Sequence, residues 1–198
     1  MREPAGGSAL GHWRSRLCWR ASRAKEPPPM TVDPVSIAPP VAAPLMMIFS
    51  LNTALLTKAF EGVGDDQLWH RPSLENNPML WIAGHMVGSR ALMLQLLGNP
   101  IDTGWGPLFA RGAVLGEEER YPTRADVMTM HGDVAQRVQA VLAGLSAAQL
   151  AREATAGPKP GNTRTVGDQL GFFAMHDSYH LGQLAYIRKA LGLSSLVG

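Results

Sequence analysis

The segment from Thr165 to Leu191 constrains this chain more than any other. Val166, Phe173, Leu184, Ile187 and Leu191 recur at helical spacing, and His176 and His180 fall on the same stripe. Residues four apart on a helix project from one face, because a turn takes 3.6 residues. The sequence therefore aims two imidazoles side by side into an apolar interior. Burying two titratable rings together is costly unless something binds them. A divalent metal would do so, and so would a pair of backbone carbonyls; this helix alone leaves both readings open.

A third histidine lies on a second apolar helix. Asn77 reads as an N-cap, Pro78 as the first helical residue, and Gly98 with Pro100 as the stop. The inward face predicted for it is Trp81, Ile82, His85, Ser89, Leu92 and Leu96. Gly84 and Gly88 flank His85, and each costs about 1 kcal/mol relative to Ala inside a helix. Close approach of another element, or room above a metal, would account for them.

Two further helices complete the pattern. One runs from Ala42 to about Gly62, with Leu45, Ile48, Phe49, Leu55, Leu56 and Phe60 on or beside its apolar face. The other opens on a capping box of Thr123 and Asp126 and reaches about Leu145 through Val127, Val134, Val138 and Leu142. Thr165 and Asp168 cap the last helix, and Gly192 ends it. No strand-like alternation and no repeat is present. The expected fold is all-α, a four-helix bundle. The connection from residue 99 to 122 is long enough to return along the bundle, making the second and third helices parallel. If the second and fourth helices are antiparallel, His85, His176 and His180 fall at similar height.

Composition narrows the function classes. Cys18 is the only cysteine, which excludes a disulfide framework and a metal–thiolate cluster. The net charge of +2 is misleading. Residues 1–29 hold Arg2, Arg14, Arg16, Arg20, Arg23 and Lys25 against Glu3 and Glu26, leaving 12 basic and 14 acidic groups in the rest. With no basic stripe, nucleic acid is not an expected partner. No run is apolar over the roughly 20 residues a bilayer requires, and no secretory signal is visible, so a cytoplasmic protein without a membrane partner is expected. Residues 1–40, rich in Pro and Arg and lacking periodicity, read as a disordered tail ahead of a bundle spanning 41–198. Within that tail, residues 1–29 read either as an extension upstream of a natural start at Met30 or as an Arg-rich transit segment. Mass spectrometry of the mature N-terminus would separate the two.

The pieces Asn77-Pro78-Met79-Leu80-Trp81-Ile82-Ala83-Gly84-His85-Met86, His176-Asp177-Ser178-Tyr179-His180-Leu181-Gly182-Gln183-Leu184 and Ile187-Arg188-Lys189-Ala190-Leu191-Gly192 occur in this order, with about ninety residues between the histidine elements. In this the chain resembles the DinB-like, YfiT-type superfamily of four-helix metalloproteins, which includes the bacillithiol and mycothiol S-transferases. The resemblance covers roughly residues 42–193. It implies an up-down-down-up bundle in which His85, His176 and His180 bind one divalent metal ion. Zinc, nickel, iron and manganese all suit three nitrogens with open positions. It also implies a small-molecule substrate such as a low-molecular-weight thiol, and a homodimer.

Three protein ligands leave a metal open to a visitor, the pattern of catalytic rather than structural sites. An open metal can activate water or a thiol at neutral pH. Asp177, Ser89 and Gln183 are the residues placed to orient the imidazoles, with a solvent-facing Asp177 as the simpler reading. Two metal chemistries fit poorly. The spacing of His176 and His180 matches the zinc-protease helix, but Asp177 stands where that motif needs Glu. Di-iron bundles need inward Glu-x-x-His pairs, which the helices lack. His131 is a weak candidate for a fourth ligand. Arg71, Arg90 and Arg164 read as surface charge, and Trp69, Trp81 and Trp105 as packing. The functions expected are a metal-dependent transferase linked to a thiol, a metal-dependent hydrolase, or a metal-binding, stress-associated interaction protein without turnover.

Overall fold

The structure, a computed structural model, describes residues 41–197. The expectations for the tail, residues 1–40, lie outside the described residues. Four long helices carry the fold: α1 Ala43–Ala59, α2 Met79–Leu96, α3 Arg124–Ala143 and α5 Val166–Ala190. A short α4, Ala147–Ala151, sits in the connection between α3 and α5. Sequence periodicity could not reveal it, because five residues complete little more than one turn. Among the described residues there is no strand, only one bridge between Glu153 and Thr165.

Side-chain hydrogen bonds between helices fix their directions. The Gln139 amide donates to the Met46 carbonyl near one end of the α1–α3 pair, and Arg124 reaches Val63 at the other, so these helices are antiparallel. Asn52 of α1 meets Ala174 and Ser178 of α5, and Arg188 reaches the Ala59 carbonyl, so α1 and α5 are parallel. Met93 and Leu96 of α2 line one cavity with Val166 and Leu170 of α5, while Ile82 and Ile187 share another, so α2 and α5 are antiparallel. The bundle is thus up-down-down-up, and the long 97–123 connection joins parallel neighbours.

The predicted caps of α3 and α5 form as written. Thr123 Oγ1 accepts from the Asp126 N–H and Thr165 Oγ1 from the Asp168 N–H, with each aspartate accepting in return. These reciprocal bonds hold both carboxyl groups below the usual carboxylate range. Two expectations are corrected. Pro78 is the N-cap of α2, with an extended ψ of 161°, and Asn77 makes no capping bond. Ile48, expected inward on α1, is exposed, and Asn52 is buried in its stead. Asn52 turns inward because its amide donates to the Ala174 carbonyl and the Ser178 hydroxyl.

Helix α2 is buried on nearly every side, since α3, α5 and the short 3-10 helix Gly106–Phe109 all pack on it. Of the residues predicted inward, only Leu92 turns out to solvent. Gly84 permits this third contact. A Cβ there would lie 2.3 Å from Phe109 Cζ, so only glycine lets the ring lie flat on the helix. Gly88 has no such neighbour; a Cβ there would meet nothing within 4 Å.

Candidate metal centre

His85 from α2 and His176 and His180 from α5 converge, as the antiparallel register requires. One ring nitrogen from each lies within 4.8 Å of those of the other two. His176 Nε2 is 3.1 Å from His85 Nε2 and 3.1 Å from His180 Nε2. Nitrogens bonded to one ion at about 2.0–2.1 Å stand about 3.3 Å apart at tetrahedral angles and about 2.9 Å apart at right angles. The two separations at His176 fall between these values, and the His85 and His180 nitrogens lie within 4.8 Å of each other.

The outward nitrogens determine what the inward ones present. His85 Nδ1 lies 2.6 Å from the Phe109 carbonyl, which can only accept, so Nδ1 carries the proton and Nε2 a lone pair. His180 Nδ1 donates to Gln183 Oε1 over 2.6 Å, with the same consequence. Ser89 Oγ lies 3.3 Å from His176 Nδ1. Two acceptor lone pairs therefore face His176 Nε2. Burial, together with the neighbouring rings, pushes the His176 pKa down to about 4. Burial does the same to His180, to about 4, against the pull of the Gln183 hydrogen bond. A single Nε2 proton on His176 could satisfy only one of these two lone pairs, and with that proton on Nδ1 instead all three inward nitrogens present lone pairs. A divalent cation is the complement such a donor set fits.

The surroundings hold the rings in place. Trp81 stacks on His85 with centroids 5.0 Å apart and planes 9° apart, and its indole N–H donates to the Leu108 carbonyl. Tyr179 packs edge-on against His180 at 5.2 Å, and Phe172 lies 5.9 Å from His176. The 97–123 connection is thus part of the site, because it supplies the Phe109 carbonyl. Its aromatic residues Trp105 and Phe109 were the only sequence signal of this role.

Asp177 hydrogen-bonds to none of the three rings. It is buried, not solvent-facing, and Arg90 is buried rather than a surface charge. The Arg90 Nε–H donates to Asp177 Oδ2 and an Nη1–H to Thr53 Oγ1, each over 2.7 Å. Burial pushes the Asp177 carboxyl above its ordinary range, and the Arg90 charge opposes that rise. Asp177 therefore cannot act as the protease-type base, because it faces the bundle axis and not the cluster. His131 sits in the same internal layer and outside the cluster. Its Nε2 donates to the Thr53 carbonyl over 3.2 Å, while its Nδ1 and Arg90 Nη2 have no partner among the described residues.

A four-helix bundle with an open three-imidazole cluster between its second and last long helices defines a recognisable class. The sequence model of the DinB superfamily matches residues 48–184, and the chain belongs to that superfamily. No curated protein matches the sequence. Among solved structures, a conserved protein from Enterococcus faecalis is similar at 13% identity, over 78% of this chain and 99% of its own, with a TM-score of 0.62. YfiT from Bacillus subtilis, described as a probable metal-dependent hydrolase with an unusual four-helix bundle topology, is similar at 17% identity. That likeness covers 83% of this chain and 95% of YfiT, with a TM-score of 0.59. At these identities the likeness is one of fold.

Proposed function

We propose that His85, His176 and His180 hold one divalent metal ion, and that the protein is a metal-dependent enzyme acting on a small molecule. The convergence of three Nε2 atoms, two of them held as acceptors by partners on the opposite ring nitrogen, carries this reading. An ion held there would supply Lewis acidity to a nucleophile, either a thiol or water. The Phe109 carbonyl and Gln183 keep two imidazoles in the ligating tautomer, and Ser89 is placed to orient the third. Trp81 shields one side of the cluster from water, while the open space above Gly88 leaves a way in.

Thiol transfer is the reaction favoured by the resemblance of the histidine elements to the S-transferases. Hydrolysis is the second reading, and the likeness to YfiT favours it. No helix among the described residues is long and apolar enough to cross a membrane. The exposed Met47 and Leu51 of α1 and Met175 of α5 offer apolar surface for a homodimer. The deciding experiment loads the purified protein with zinc, nickel, iron or manganese and assays thiol conjugation to electrophiles beside ester and amide hydrolysis. Activity that is lost with chelator and in His180→Ala supports the proposal. Activity indifferent to both would refute metal dependence, and none with any metal would leave a binding protein without turnover.

A further inference from the structure

A second recess lies beside the cluster. It is an open cleft of about 350 Å³, within the size range of small-ligand pockets. Ile82 and Ile187 form its apolar floor, and Tyr179 and Tyr186 stand along it, seven residues apart on one face of α5. Gly182 leaves bare backbone between the two tyrosines, since a Cβ there would meet nothing within 4 Å.

The polar groups of the cleft are all carboxamides or phenols: Asn76, Asn77 and Gln183 with the two tyrosines. No charged side chain lines it. Asn76 Oδ1 accepts from the Ser73 N–H and hydroxyl, which leaves its NH2 group to donate. A carboxylate or ammonium entering here would lose water and find no counter-charge. A flat, neutral group would meet aromatic faces and apolar floor, and its amide would meet carboxamides able to donate and accept.

Gln183 belongs to both sites. Its Oε1 accepts from His180 Nδ1 over 2.6 Å, while its Nε2 reaches only the Tyr179 hydroxyl, over 3.4 Å. A ligand carbonyl in the cleft would be a better acceptor for that NH2 group. It would hold the amide with Oε1 on His180, in the orientation that keeps the Nε2 lone pair inward.

We propose that this cleft binds an uncharged aromatic amide, the part of a substrate remote from its reacting atoms, and that Gln183 links its occupancy to His180. Only the link to His180 rests on the metal reading above. Because coupling between two binding events is reciprocal, metal and amide each tighten the other.

The test titrates benzamide, and benzoate as its charged counterpart, into the isotope-labelled full chain, first metal-free and then zinc-loaded, followed by NMR. Benzamide is expected to give saturable shifts at Gly182, Tyr186 and the Gln183 side chain, with benzoate at least tenfold weaker. Gly182→Leu places a side chain in the cleft with its Cβ meeting no neighbour, and is expected to abolish those shifts without lowering the melting temperature. Zinc is expected to tighten benzamide at least threefold. Shifts that fail to saturate, persist in Gly182→Leu or come equally from benzoate overturn the cleft. Zinc binding without benzamide binding overturns the cleft and leaves the metal centre standing. Benzamide in the cleft of a chain that takes no zinc does the reverse. Equal benzamide affinity with and without zinc overturns the link through Gln183.

Discussion

The Arg90 Nε–H and Asp177 Oδ2 meet at 2.7 Å with both side chains only 1% exposed, tying α2 to α5 behind the three imidazoles. Removing one partner of such a pair leaves an uncompensated buried charge. Asp177→Ala is expected to lose about 3–5 kcal/mol of unfolding free energy in denaturant titration. Asp177→Asn, which can still accept from Arg90, is expected to lose less. A loss below about 1 kcal/mol for the alanine variant would mean that the pair is solvated in solution.

The two glycines flanking His85 should part company. In Gly84→Ala the added carbon would lie 2.3 Å from Phe109, so the ring must move and carry the His85 acceptor with it. A loss of about 1–3 kcal/mol is expected, together with weaker metal binding. Gly88→Ala meets nothing and should gain up to about 1 kcal/mol from helix propensity. Thermal melts of both variants, followed by zinc titration, check the contrast.

Metal should act through named nitrogens. Zinc is expected to bind with a stoichiometry of one and to raise the melting temperature, because it binds the folded chain preferentially. His85→Ala, His176→Ala and His180→Ala should each abolish the rise. Gln183→Ala, which frees His180 Nδ1, should weaken zinc binding about 10–100-fold. Calorimetry on protein isolated without a histidine tag is the measurement. Full affinity in His180→Ala would refute the shared centre.

His131 gives the fold a dependence on pH that is independent of the metal. It is 3% exposed, and burial, with the Arg90 charge beside it, lowers its pKa from 6.5 to about 4. The unfolded chain takes up this proton below about pH 6.5 and the folded chain only near pH 4. Stability from this residue is therefore complete above pH 6.5 and lost as pH falls through that window, by about 3 kcal/mol in all. Denaturant midpoints between pH 7 and 4 should fall less steeply in His131→Gln than in the parent. An equal slope would show that His131 is protonated in the fold.

Much of the molecule could be read from residues close together in the chain. Helical spacing, the caps at Thr123 and Thr165 and the stops at Gly98 and Gly192 are settled by contacts within one or two turns. The i, i+4 pair of His176 and His180 belongs to the same class, since a helix puts those rings together wherever it lies. Residue counts also carried the antiparallel register that sets His85 at their level.

The partners of those rings were out of reach. The Phe109 carbonyl arrives on His85 from 24 residues away, through a loop that no periodicity describes. Asp177 and Arg90, 87 residues apart, read as surface charges because charged side chains usually are. The pairing that makes their burial tolerable exists only once α2 and α5 pack. Sequence determined which side chains share a face, because backbone geometry is local. The tertiary fold alone decided what each face meets, because a buried polar group is stable only where a distant segment supplies its partner.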